Sequence, residues 1–321
     1  MPFDAVLGQH QAIQHLRTAL RSGHLAHAYL FSGIEGIGKC TAAVAFAKAL
    51  NCLTHADDFC DNCVSCRKTE KQLHPDFFFI EPEKNIIKIE QVRDIQKKII
   101  FKPMEGRKKV VIIDQAEKLN LHAANCLLKT LEEPPDDTVL ILVASTATPL
   151  LPTILSRCQS IRFAPLGAAA ISSFLERRGI SGDPGFIAAL AQGSIKRALV
   201  LLETEFLSRR RELIQLLVAG SAGSCEPLLH LAKAATEDQQ ELPQILEFLQ
   251  TWYRDLYMLM SGFPAEKLYN RDMLAEMQEA LHRETREQIL KRLKKLQWIH
   301  AHRTININYT VALESMLLQS M

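Results

Sequence analysis

Five short runs in the first half of the chain are nearly uninterrupted in apolar residues: "AYLFS" (28–32), "DFFFIE" (76–81), "KVVIID" (109–114), "TVLILVAS" (138–145) and "QSIRF" (159–163). Amphipathic segments separate them. Strands apolar on both faces, alternating with helices, predict a parallel sheet covered on both sides, so the expected fold class to about Phe163 is α/β. After "APLG" no strand-like run recurs, and Leu, Ala, Glu, Lys and Arg dominate at helical spacing. "GISGDPG" (179–185) reads as a loop between helices, and "GSIKRALVLLE" as a helix with Ser194 as its N-cap. "LPQILEFLQTWYRDLYMLM" and "REQILKRLKKLQWIHAHR" carry apolar stripes sufficient for a separate bundle. The expected division is an α/β domain over 1–164, a small helical domain over 165–208 and an all-helical domain over 209–321.

A length of 321 residues fits that division. A formal net charge of +2, with 23% charged residues, places no demand on the partner and leaves only local basic faces to consider. The run "RKK" (107–109) reads as a solvated loop before a strand rather than a nucleic-acid contact. The N-terminal "MPFDAVLGQHQAIQHLRTAL" lacks a basic segment followed by an apolar one, and no window reaches the roughly 18 apolar residues of a membrane span. The expected location is the cytoplasm, without membrane contact.

Half of the eight cysteines fall in one cluster. Cys52, Cys60, Cys63 and Cys66 have the spacing C-x7-C-x2-C-x2-C, which lets tight turns gather four thiolates around a tetrahedral Zn²⁺. With four protein ligands no position stays open for water, so the expected zinc is structural. The rival readings are buried free cysteines, which fit the polar neighbours "HADDFCDNC" badly, and a redox pair of Cys63 and Cys66.

"GIEGIGKCT", Gly33 to Thr41, follows the first strand and opens a helical pattern. Gly33, Gly36, Gly38 and Lys39 fill a phosphate-binding loop, in which backbone N–H groups, a helix N-terminus and a lysine receive phosphate oxygens. The next position, where a hydroxyl holds Mg²⁺, is Cys40, a soft sulfur poorly matched to a hard cation. Thr41 points about 100° away on the helix. Asp114 ends the third strand, where a Walker B acid sits, but its neighbour is Gln115, whose amide cannot take a proton from water. The competing reading makes Gln115 a water-orienting residue of an active enzyme. The loop is expected to be able to hold ATP or ADP; whether it does is left open.

These stretches, with "IEQVRDIQKKIIFKPMEGRKKVVIIDQAEKLN", "AANCLLKTLEEPP" and "TILSRC", resemble in order the clamp-loader subunits of bacterial DNA polymerase III, of the AAA+ class. Within that family the likeness is to the delta-prime, or stator, branch rather than the tau/gamma motor branch, whose members carry G-K-T/S and D-E where this chain has Cys40 and Gln115. "NINYTVALESMLL" looks like the last collar helix of the stator branch, whereas tau-type chains carry long extensions.

The resemblance implies a P-loop domain with a zinc insert (52–66), a helical lid and a helical collar, in a heteropentamer with tau/gamma and delta subunits. That assembly would load the sliding clamp onto primed DNA. In "SRC", Arg157 would be an arginine finger acting in trans on a neighbour's ATP; the plainer reading is a surface residue capping the preceding helix. Ser145 and Thr146 fall in the sensor 1 region, and Lys196 or Arg197 in the sensor 2 region. Arg93, Lys97 and Lys98 share a helix that in this family faces the primer-template. No intrinsic ATPase is expected. The alternatives are an ATP-hydrolysing motor subunit, or a zinc-bearing DNA-binding protein outside the loader.

Overall fold

The computed structural model describes residues 3, 6–145, 150–180, 184–203, 206–220, 225–237, 242–302 and 308–318. Chain contacts define two compact units: residues 1–184 with 191–198, and residues 185–190 with 199–321.

The first unit runs α1 (His10–Ser22), β1 (Ala28–Ser32), α2 (Lys39–Asn51), α3 (Val64–Glu70), β2 (Phe77–Ile80), α4 (Ile89–Ile99), β3 (Lys109–Ile113), α5 (Leu121–Glu132), β4 (Thr138–Ala144), α6 (Pro152–Leu155), β5 (Gln159–Arg162) and α7 (Ala168–Arg177). The five strands form one sheet in the order β2-β3-β4-β1-β5, every pair parallel. Each expected strand is present, with ends within about two residues of the apolar runs. Alternation along the strands splits the core. Tyr29, Phe31, Val110, Ile112, Ile141 and Val143 face α1 and α2, while Leu30, Val111, Ile113, Leu140 and Leu142 face α4, α5 and α6. All of β3 and β4 is buried, the condition that makes a strand read as a continuous apolar run.

This order sets β4 between β1 and β3. The segments leaving the C-terminal ends of those three strands therefore begin side by side, at the edge where open α/β sheets bind ligands. The approach to β3 is held by Asp76, which is fully buried and accepts the N–H groups of Met104, Glu105 and Gly106 at 2.8, 2.8 and 2.7 Å. Burial alone would raise its carboxyl, but those three bonds and His74 hold it below the usual carboxylate range. A depressed pKa contributes stability that is present above the unfolded value, about 3.9, and is lost as pH falls through the folded one. Asp76→Asn is expected to cost about 2–3 kcal/mol in urea unfolding at pH 7, and progressively less as pH falls below about 3.9.

The run 107–109 is a loop before a strand as expected, with Arg107 exposed and Lys108 half-buried, but its last residue, Lys109, opens β3 and is buried. Arg107 donates to the Cys52 carbonyl at 2.9 Å, Lys108 pairs with Asp137 at 2.6 Å, and Lys109 is 3% exposed with its Nζ on the Lys98 carbonyl at 2.6 Å. Only Lys109 spends its charge inside the domain.

The remaining helices are α8 (Pro184–Leu190), α9 (Ile195–Glu203), α10 (Phe206–Gly220), α11 (Cys225–Glu237), α12 (Leu242–Met260), α13 (Leu274–Leu281), α14 (Arg286–Ala301) and α15 (Tyr309–Leu318). The unit boundary falls within α9. Ser194 accepts the Arg197 N–H at 3.2 Å, as an N-cap should. The loop expected to Gly185 is shorter, since α8 begins at Pro184; residues 181–183 lie outside the described residues. In the second unit α12 packs on α14, and α11 on α10 and α15, around Trp252, Tyr253, Leu256, Met277 and Ile289. Buried Arg210 is held there by Asp272 at 2.6 and 2.9 Å and by Asn270 at 2.8 Å.

Candidate functional site

The phosphate-type loop joins β1 to α2, and its glycines are required by geometry. Gly36 has φ 78°, and a Cβ there would meet Ser194 Oγ at 2.4 Å and Lys196 Cβ at 2.5 Å. The start of α9 lies on the loop: Ile195 N–H donates to the Gly36 carbonyl at 2.9 Å, and Lys196 pairs with Glu35 at 2.5 Å. Gly33, at φ 150°, passes so close to the Phe163 carbonyl that a Cβ would sit 2.4 Å from it. Gly38, at φ 93°, precedes α2, whose first residue is Lys39.

Lys39 is 6% exposed, and its Nζ donates to the Gly33 and Ile34 carbonyls at 2.6 and 2.7 Å. Burial lowers its pKa, opposed most by the charge of Glu117 and then by that of Asp114. Asp114 is raised by burial, against the Gln115 N–H and the Lys39 charge. Cys40 is pushed up to about 12, first by burial and then by the Asp114 charge. Its sulfur is therefore a neutral thiol at pH 7, not the thiolate that metals bind. Thr41 is exposed, on the outward side of the helix. Gln115 sits in the left-handed region, at φ 49° and ψ 50°.

Glu117 was not anticipated. Its Oε1 accepts the Ser145 N–H at 3.1 Å and the Ser145 hydroxyl, and its Oε2 is buried without a partner. The sequence carried a signal for it, an acidic residue three positions after Asp114 at a strand's C-terminal end. The geometry thus brings the glycine loop, Lys39, Cys40, Asp114, Glu117 and Ser145 to one edge of the sheet. Lys196 reaches the loop through Glu35, and Arg197 follows on α9; Thr146 lies outside the described residues.

Arg157 stands apart, in the turn between α6 and β5. Its guanidinium donates to Glu132 at 2.8 Å and to the Thr153 carbonyl at 3.0 Å. The second bond is the one the helix-capping reading requires. On α4, Arg93, Lys97 and Lys98 are exposed; Lys97 pairs with Asp94 at 3.0 Å, and Lys98 lies 5.8 Å from the centre of the Phe78 ring.

The four cluster cysteines come together between the end of α2 and the start of α3, with all four sulfurs within 4.8 Å of one another. A tetrahedral zinc with Zn–S bonds of about 2.3 Å sets its sulfurs about 3.8 Å apart, so the set fits with small closure. Cys63 N–H donates to the Cys60 sulfur at 3.2 Å, and Cys66 N–H to the Cys63 sulfur at 3.4 Å. A bond from Thr54 brings the Cys60 thiol down to about 6, whereas burial pushes Cys66 up.

The module is tied to the domain around it. Lys48 bridges Asp61 at 2.6 Å and Glu70 at 2.5 Å, Arg17 binds Asp58 at 2.8 Å, and Phe3 meets Phe59 edge-on at 5.4 Å. These cysteines can hold a metal ion.

With the site in place, likeness to known proteins decides the family. A family model described as "DNA polymerase III, delta subunit" matches residues 8–167, and one described as "DNA polymerase III, delta subunit, C terminal" matches residues 204–320. DNA polymerase III subunit delta' of Bacillus subtilis is 30% identical over 97% of this chain and 95% of its own length. The chain belongs to the clamp-loader delta-prime family of bacterial DNA polymerase III. A second delta-prime relative, from Pseudomonas aeruginosa, is 41% identical over 50% of this chain and 49% of its own. DNA polymerase III subunit tau of Bacillus subtilis is 37% identical over 63% of this chain but only 37% of its own length. The Bacillus delta-prime relative thus matches over nearly its whole length, whereas the tau relative matches over little more than a third of its own. The first unit is a parallel α/β core with its phosphate-type loop at the C-terminal end of an interior strand, β1. Among the described residues no single helix is long and apolar enough to cross a membrane.

Proposed function

We propose that this chain is the stator of a cytoplasmic bacterial clamp loader: a heteropentamer member, alongside tau/gamma and delta subunits, that helps load the sliding clamp onto primed DNA without hydrolysing ATP itself. The observation that carries this reading is a nucleotide site with its loop and lysine in place but a neutral thiol and an amide where hydrolysis needs a Mg²⁺ ligand and a base. Gly33 to Lys39 keep a cradle for ATP or ADP. Cys40 supplies no hard ligand, and Gln115 takes no proton.

Catalysis passes instead to Arg157, which acts in trans on the adjacent motor. A planar cation stabilises charge on the transferring phosphoryl group, and supplying it from a second subunit ties hydrolysis to assembly. Its present partners are compatible with release, because Glu132 is about half exposed and such pairs are worth about 1 kcal/mol or less. Residues 165–208 act as lid, with Lys196 or Arg197 as sensor 2 remnants and Ser145 and Thr146 as those of sensor 1. Residues 209–321 form the collar. Arg93, Lys97 and Lys98 face the primer-template phosphates. Zn²⁺ in the cysteine module is structural and supplies no chemistry to the nucleotide.

One observation favours the rival motor reading: Glu117 puts a carboxylate near Lys39 and in contact with Ser145. A zinc-bearing DNA-binding protein outside the loader is the remaining rival. An ATPase assay separates all three. The isolated chain is expected to show no turnover above background, while a loader rebuilt from tau/gamma and delta needs this chain for its clamp- and DNA-stimulated rate. Turnover by the isolated chain that disappears in both Lys39→Ala and Glu117→Gln would instead make it a motor, and a loader indifferent to its presence would place it outside.

A further inference from the structure

We propose that the outward face of α14 is a binding site for single-stranded DNA, with Trp298 as the stacking platform and Lys291, Lys294 and Lys295 as phosphate contacts. Steps of three and four residues place these four side chains on one side of the helix, where they line a single open, shallow concavity. The other side of α14 is committed to the bundle: Ile289, Leu296 and Ile299 are buried, and buried Arg292 pairs with Glu284. The exposed stripe is therefore a fixed surface on a well-anchored helix.

Its chemistry differs from that of an ordinary solvated face. Trp298 is 47% exposed, while the chain's other tryptophan, Trp252, is 1% exposed. The His302 ring stacks on the indole, with centroids 4.5 Å apart and planes 27° apart, and its Nδ1 lies 2.8 Å from the Trp298 carbonyl oxygen. Lys295 Nζ lies 5.7 Å from the indole centre. Lys291 has an exposed partner, Glu287, at 2.9 Å, but among the described residues neither Lys294 nor Lys295 has a carboxylate within ion-pairing distance. The face is thus cationic and carries an oriented aromatic surface. Unpaired bases stack on such surfaces while adjacent lysines take the phosphates, and the combination tolerates any sequence. A duplex keeps its base faces covered, and an acidic peptide would satisfy the lysines without requiring the indole.

The two tryptophans make a direct test. Full-length chain at low salt is titrated with a dT oligonucleotide of about 16 nucleotides, followed by tryptophan emission and by anisotropy of a labelled strand. Saturable quenching is expected in wild type and not in Trp298→Phe, whose ring still stacks and still binds. Trp298→Ala should weaken binding about fivefold or more. The double variant Lys294→Gln, Lys295→Gln should reduce the slope of log affinity against log salt by about 1.4 while leaving the helix folded. Binding equal to wild type in Trp298→Ala and in the lysine pair overturns the proposal. So does a duplex that competes as well as the single strand, or poly-glutamate that quenches Trp298 as strongly, which would make the face a site for acidic protein.

Discussion

Replacing Arg157 by alanine is expected to leave the chain folded and able to join its partners, and to reduce ATP turnover at the neighbouring motor by at least about tenfold. The comparison is the effect of arginine fingers in GTPases, about 10³ to 10⁵ in rate. A loader's bulk rate should fall less, because only the site that borders this subunit would lose its finger. Single-turnover hydrolysis by the rebuilt loader would resolve the affected site. The cost to stability is small: the Glu132 pair is on the surface and the Thr153 bond ends a one-turn helix. Arg157→Lys should be nearly as poor as alanine, since an ammonium cannot reproduce the planar fork.

Glu132→Ala is the counterpart. If Arg157 served only to cap α6 and pair with Glu132, that change should impair the loader about as much as Arg157→Ala does. With a finger acting in trans, freeing the guanidinium from Glu132 leaves the stimulated rate intact or raises it. Full stimulated activity in Arg157→Ala would end the assignment.

What the sequence made legible followed from local chemistry. β3 and β4 could be read because burial on both faces leaves no polar position to interrupt the run. The cysteine cluster could be read because ligand spacing is local, and Gly33 to Lys39 because a phosphate loop is continuous in sequence. The misses are long-range. Lys109 appeared solvated because nothing nearby shows that its Nζ finds the Lys98 carbonyl across the fold. Asp76, which anchors the segment before β3, gives no local sign of the three N–H groups it accepts from residues 104–106. Gly36 was legible from the loop motif, but the close approach of Ser194, more than 150 residues away, was not. Glu117 is an intermediate case, since its position after the strand was visible but its contact with Ser145 was not.

Loss of metal from the cysteine module should lower the stability of the first unit more than any single side-chain change outside it. The chain is expected to purify with one zinc per molecule by elemental analysis. Cys66→Ser, at a position with 0% exposure, should abolish it. A ligand that binds only the folded state at about 1,000 times its dissociation constant contributes about 4 kcal/mol, and structural zinc binds more tightly than this minimum requires. For a unit of this size, 4 kcal/mol corresponds to roughly 8–16 °C in thermal midpoint.

The loss should propagate rather than remain in a frayed loop. Cys52, Phe59 and Cys66 belong to the same core cluster as Phe3, Leu16 and Phe46, and Lys48 anchors both Asp61 and Glu70. Cys158→Ser is the control, because Cys158 lies outside the cluster and should keep its zinc. Chelation should lower the midpoint of wild type to that of Cys66→Ser and leave Cys66→Ser unmoved. Zinc-free protein with the wild-type midpoint would show that the four thiols close the module without metal, and would return Cys63 and Cys66 to the redox reading.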